Sequence, residues 1–317
     1  MKGMHIVVVP APLATDAGPS YSSLMANARA NGITIEYDTF GKPSNPPMLL
    51  IMGLGAQMIL WDEAFCEQLA ARGHYVVRFD NRDVGLSTKF ADAGVPDVVA
   101  ALTASMSGQP VKAPYTLRDM AADAVGLLDA LHIDHAHIVG ASMGGMIAQT
   151  VAIDHPKRAR TLTSIMSTTG APDLPPAKPE AMAALLSPPP TSRDEAIERS
   201  VSVFRTIGSP GFPFEEERFR ERAALAYDRC FHPEGAARQI VAIIASGSRR
   251  EKLRAVKAPT LVIHGADDPL VPLAGGKDTA ESVAGAEIMI IDGMGHDLPR
   301  PVWPRIIDGI TALTTRN

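Results

Sequence analysis

The feature that most constrains this chain is the pentapeptide Gly140-Ala141-Ser142-Met143-Gly144, set between an apolar run and a helical pattern. Ahead of it, Ala136-His137-Ile138-Val139-Gly140 reads as a strand. Behind it, Gly144 to His155 has helical spacing until Pro156 ends it. A serine at such a strand-to-helix corner is forced into a strained conformation, and glycines on both sides relieve the crowding. The bland alternative is a glycine-rich turn with a capping serine. The two readings differ in what they need elsewhere: a nucleophilic serine requires a base, an acid and oxyanion donors.

The surrounding pattern is a regular alternation. Ile33 to Tyr37 alternates like a half-exposed strand, whereas Met48 to Met52 is a continuous apolar run suited to a strand covered on both faces. Phe65 to Arg72 is helical and stops at Gly73, Tyr75 to Phe79 is a short buried strand, and Leu117 to Leu131 is a long helix. Arg160 to Met166 and Thr260 to His264 are further strands. Gly276 to Val283 reads as a helix, Ala286 to Ile291 as the last strand and Trp303 to Thr314 as the last helix. Alternating strands and helices imply α/β architecture: a mostly parallel sheet flanked by helices on both faces.

Between about Thr168 and Arg254 the rhythm breaks. Prolines cluster at 172–179 and 188–190, and the remainder is helical over Arg193–Ile207, Glu215–Tyr227 and Ala236–Ser246. The expected organisation is an N-terminal extension over 1–29, an α/β core over 30–167 and 255–317, and an inserted helical cap, or lid, over 168–254. The 317 residues suit one large domain with such an insertion.

Charge and composition remove other classes. A net charge of -5 offers no electrostatic footprint for nucleic acid or an anionic membrane. No run reaches the ~20 apolar residues that span a bilayer. Met4 to Val9 is a short apolar run broken by Pro10 and Pro12, a weak match to a secretory signal, so a cytoplasmic location is expected. Cys66 and Cys230 have neither CxxC spacing nor a histidine cluster and read as free thiols.

Candidates for the missing partners lie downstream. His296, in Gly293-Met294-Gly295-His296-Asp297, follows the last strand, at the sheet edge where sites of such folds sit. His264, at a strand end, is the runner-up base. The loop Asp267-Asp268-Pro269-Leu270-Val271-Pro272 offers two carboxylates, of which Asp268, directly before the Pro-Leu-Val-Pro turn, is favoured. The chain order is Ser, Asp, His. Backbone N–H groups of Met143 and of Leu54, in Met52-Gly53-Leu54-Gly55, are the expected oxyanion donors. Gly53-Leu54-Gly55 followed by Asp80 also suggests a dinucleotide fingerprint, but Met58 occupies the third glycine position and no helix opens at the glycines. No cofactor or metal is expected.

These segments, with Asp80-Asn81-Arg82-Asp83-Val84-Gly85-Leu86-Ser87, resemble the α/β-hydrolase superfamily from about Ala30 onward. The run Asp80 to Thr88 and Gly211-Phe212-Pro213-Phe214 are similar to bacterial esterases of the aclacinomycin methylesterase type. The resemblance implies Ser142, Asp268 and His296 as a triad with Leu54 and Met143 as oxyanion donors. Many relatives carry His-Gly where Met52-Gly53 stands, a change that spares a backbone donor. Serine rather than aspartate at residue 142 sets the chain apart from haloalkane dehalogenases and epoxide hydrolases of this fold.

The expected activity is cofactor-free hydrolysis of small to medium, fairly apolar carboxylic esters through an acyl-enzyme. Trp61, Phe204, Phe212, Phe214 and Tyr227 are the candidate pocket residues, with plain core packing as the competing explanation. Methyl-ester cleavage on a polyketide, lactone opening, C–C bond hydrolysis and peracid formation could use the same triad. A non-catalytic small-molecule binding protein is the alternative outside enzymology, and the sequence is silent on oligomeric state.

Overall fold

The computed structural model describes residues 26–317, so the apolar run at residues 4–9 lies outside the described residues. Strands β1 (Ala26–Ala30) and β2 (Ile33–Phe40) form an antiparallel hairpin across Asn31-Gly32. Both turn residues have positive φ, 47° and 79°, the combination whose twist matches paired strands. The core therefore begins inside the segment expected to be an extension. Ala26–Ala30 lacks β-branched residues, and its strand state comes from pairing with β2.

The chain then runs through β3 (Pro47–Ile51), α1 (Glu63–Ala71), β4 (Tyr75–Phe79), α2 (Val98–Met106), α3 (Leu117–Ala130), β5 (Ala136–Ala141), α4 (Met143–Asp154) and β6 (Ala159–Ile165). Five helices follow: α5 (Pro179–Leu185), α6 (Arg193–Ile207), α7 (Glu216–Arg229), α8 (Pro233–Ser246) and α9 (Arg250–Leu253). The chain closes with β7 (Thr260–Gly265), α10 (Leu273–Ser282), β8 (Glu287–Ile291) and α11 (Trp303–Thr315). All eight strands form one sheet, ordered β1-β2-β4-β3-β5-β6-β7-β8, antiparallel at β1, β2 and β4 and parallel from β4 to β8.

Alternation along β3 divides the core. Leu49 and Ile51 face one apolar layer with Met120, Leu127, Ile147 and Val151 from α3 and α4. Met48 and Leu50 face the other, with Phe65 and Leu69 from α1 and Trp303, Ile306 and Ile310 from α11. Both layers are needed because a parallel sheet exposes apolar side chains on each side.

Sheet order reverses between β3 and β5: β4 lies to one side of β3, and β5 to β8 follow on the other. The carboxyl ends of β3 and β5 thus flank a crevice, the usual position of a ligand site in an open α/β sheet. Above it sit helices α5 to α8. They dock partly through ion pairs, the most buried being Arg238 of α8, which donates to Asp83 at 2.9 and 2.8 Å.

Candidate active site

Ser142 joins β5 to α4 with φ 57° and ψ -122°, a conformation that costs a non-glycine residue about 1–3 kcal/mol. The corner is tight because backbones touch there. A methyl group on Gly140 would lie 2.0 Å from the Gly144 carbonyl oxygen, and one on Gly144 would lie 2.0 Å from the Ile51 carbonyl oxygen. The flanking glycines are therefore required by contact, as the pentapeptide predicts. Ser142 itself stays partly exposed at the start of α4, whose positive end points toward it.

His296 Nε2 lies 2.9 Å from Ser142 Oγ, and His296 Nδ1 lies 2.7 Å from Asp268 Oδ2. The other oxygen of Asp268 accepts N–H bonds from Leu270 at 2.9 Å and Val271 at 2.8 Å. With Asp268 so fixed, Nδ1–H donates to the carboxylate, and Nε2 is the free lone pair that the serine hydroxyl reaches. Asp267 faces elsewhere: its Oδ2 accepts the Gly293 N–H at 2.9 Å, and its own N–H donates to the Met294 carbonyl. His264, the runner-up base, is buried with Nε2–H donating to the Val271 carbonyl at 2.8 Å. Burial lowers its pKa, so it stays neutral, behind Asp268 rather than beside Ser142.

The loop after β3 lies against this corner, with Gly53 placed so that a methyl group on it would sit 3.1 Å from Ser142 Cβ. Among the described residues, neither the Leu54 N–H nor the Met143 N–H is taken by a protein acceptor. The loop is braced on three sides. Asn81 Nδ2 donates to the Met52 carbonyl at 2.9 Å, Asp80 accepts the Met58 N–H at 2.7 Å, and Gln239 of α8 accepts the Gly55 N–H at 2.8 Å. Asp80 also accepts from Arg229 at 2.8 Å and from the Leu86 N–H, so its carboxylate is committed to structure and not available to a ribose. Sequence reasoning missed Asn81 and Gln239 as braces. Asn81 stands in the distinctive run Asp80 to Ser87, but Gln239 is one polar residue in a helix and carries no local signal.

The five aromatic candidates do not gather in one cluster. Trp61 is fully buried, stacked on Phe65 at 5.7 Å, and so is a core residue and not a pocket wall. Trp61 stands directly before Asp62, the N-cap of α1, and packs in the apolar layer that α1 and α11 share. Phe204, Phe212 and Phe214 line a cavity of about 390 Å³ with Lys178, Arg205 and Asp267, and neither Ser142 nor His296 borders it. Phe204 and Phe214 each stack on Phe219, and Tyr227 packs against Phe231. Among the described residues no cluster of His, Cys, Asp and Glu could hold a metal, and no helix is long and apolar enough to cross a membrane.

Comparison with known proteins identifies the fold family. A family model described as the alpha/beta hydrolase fold matches residues 46–206, and one described as TAP-like protein matches 242–301. The chain is 30% identical over 302 residues to the rhodomycin D methylesterases of Streptomyces sp. and Streptomyces peucetius, spanning 89% of this chain and 95% of each relative. Its fold is similar to that of the enol-lactonase from Burkholderia xenovorans, with a TM-score of 0.70, 22% identity, and coverage of 92% and 100% of the two chains. The chain belongs to the α/β-hydrolase fold family, among relatives that include the rhodomycin D methylesterases.

Proposed function

We propose that the protein is a serine carboxylesterase in which Ser142 is the nucleophile, His296 the general base and Asp268 the group that orients it. The observation that carries this reading is the continuous hydrogen-bonded path Ser142 Oγ, His296 Nε2, His296 Nδ1, Asp268 Oδ2, with steps of 2.9 and 2.7 Å. A serine hydroxyl is a weak nucleophile, and an adjacent base makes it competent. Ser142 Oγ attacks the acyl carbonyl while its proton passes to Nε2. The imidazolium so formed is stabilised by Asp268 and returns the proton to the departing alcohol oxygen. Water then attacks the acyl-enzyme by the same route, releasing the acid and restoring Ser142. The negative oxygen of each tetrahedral intermediate is received by the N–H groups of Leu54 and Met143, donors that need no reorganisation.

A methyl ester of a polyketide-type acid is the more specific reading. It is favoured by the 30% identity to the rhodomycin D methylesterases across nearly the whole chain. The test is hydrolysis of p-nitrophenyl acetate and butyrate, and of methyl esters of small and polycyclic acids, by the wild type and Ser142→Ala. Turnover by the wild type and none by the variant is the expected result. Equal activity in both sinks the assignment of Ser142. A wild type inert on all esters that nevertheless binds one of them favours a binding protein.

A further inference from the structure

We infer that Ser209, a cap residue, is a positioning residue for His296. This rests on the reading of His296 as the general base and extends it to the backbone that carries the imidazole.

The histidine loop is held from two sides. From the core, Asp267 holds its first residues through the Gly293 N–H and the Met294 carbonyl. Residues 295–297 are held by the cap. The His296 N–H donates to the Ile207 carbonyl at 2.7 Å, at the last residue of α6. The Gly295 N–H donates to Ser209 Oγ at 2.9 Å, and Ser209 Oγ in turn donates to the Asp297 carboxylate. A second backbone–backbone bond between cap and loop, Gly211 N–H to the Gly293 carbonyl at 2.9 Å, closes the set. One hydroxyl thus bridges the residues on either side of His296, using one acceptor position and its only donor.

The two segments also touch with no space between them. A methyl group on Gly295 would lie 2.1 Å from the Gly208 carbonyl oxygen, and one on Gly211 would lie 2.5 Å from Gly293 Cα. Such a contact admits one register, so the cap loop sets where the histidine backbone sits. The side chain takes its orientation from Asp268, and the backbone takes its position from the cap.

Asp297 makes the bridge consequential. Burial raises its pKa, and the Ser209 hydrogen bond opposes that rise. Among the described residues no Lys or Arg forms an ion pair with it; the nearby Arg218 is engaged with Asp62 and Glu215. Without the Ser209 hydroxyl, the half-buried Asp297 carboxylate would keep only the Ser209 backbone as a hydrogen-bond partner and the Gly295 N–H would lose its acceptor next to the base, and the loop would shift to recover them.

The experiment compares Ser209→Thr with Ser209→Val, which match in shape and differ in the hydroxyl, alongside Ser209→Ala and Ser142→Ala. Two rates are read for each folded variant: turnover of a p-nitrophenyl ester, and phosphonylation of Ser142 by a fluorophosphonate, which depends on the base but not on ester binding. Thr should retain both rates within about threefold. Val and Ala should lose about tenfold or more in kcat and in phosphonylation together, with KM changed by less than about threefold. If Val and Ala keep wild-type rates, or if Thr loses as much as Val, Ser209 does not position His296. Ser142→Ala separates this from the underlying reading: were it as active and as readily labelled as the wild type, the triad itself would fall.

Discussion

Gly53 and Ser142 are in contact across the crevice: a methyl group on Gly53 would lie 3.1 Å from Ser142 Cβ and 3.6 Å from its hydroxyl oxygen. The φ of Gly53 lies outside the left-handed region, which Gly55 adopts at 64°, so no turn geometry demands a glycine there. Gly53 is small because its loop, the proposed oxyanion loop, approaches Ser142 closely. Gly53→Ala should therefore lower kcat by about tenfold or more while the protein stays folded, since reacting groups lose rate when displaced by a fraction of an ångström. Steady-state kinetics with thermal unfolding checks this, and an unchanged kcat would show that the loop has room to give.

The two carboxylates of the Asp267-Asp268 pair should behave differently. Asp268→Asn removes the charge that orients His296 and should cost about 10²–10⁴ in kcat. Asp267→Asn keeps an oxygen able to accept the Gly293 N–H and should stay within about threefold of the wild type. Equal losses in the two variants would contradict the assignment of roles.

The cap is tied to the core by a buried pair whose loss should be severe. Burial alone would raise the pKa of Asp83, but bonds from Arg238, the Tyr115 hydroxyl and the Phe90 N–H outweigh it and lower the pKa. A carboxylate with a depressed folded pKa contributes stability above its unfolded pKa, and this is lost as pH falls through the folded value. Arg238→Met should cost about 3–5 kcal/mol at neutral pH by stranding Asp83. That penalty should shrink as the pH falls, beginning above the ordinary carboxylate value of about 4, because burial without Arg238 raises the pKa of the stranded carboxyl. Urea unfolding of the two proteins at pH 7 and at acid pH measures it, and a penalty that does not shrink would contradict the coupling.

The cysteines give a further check on packing. Burial pushes the Cys66 thiol up to about 12, whereas Cys230 is partly exposed. Ellman's reagent at pH 8 should react with about one thiol per native chain and two after denaturation, because the thiolate is the reactive form. Two fast-reacting thiols in the native protein would mean that α1 opens readily.

Much of this molecule was legible before its structure, for a definable reason. Strands β2 to β8 and helices α1, α3, α4, α6 to α8, α10 and α11 follow from periodicity and from glycine and proline stops, which are local properties. The short helices α2, α5 and α9 and the strand β1 were missed. Of these, β1 had a signal, the Asn31-Gly32 pair, whose two positive φ angles suit a tight hairpin.

The sequence by itself determined the α/β class, the strained serine corner and the order of Ser142, Asp268 and His296. Each rests on residues adjacent in the chain or on a spacing that backbone geometry dictates. Only the tertiary structure decided what lies between distant segments: the approach of Gly53 to Ser142, the burial of Trp61, and the cap's hold on both arms of the site through Gln239 and Ser209. Those contacts join residues 86 to 184 positions apart, and no local pattern encodes them because each is set by where whole elements dock.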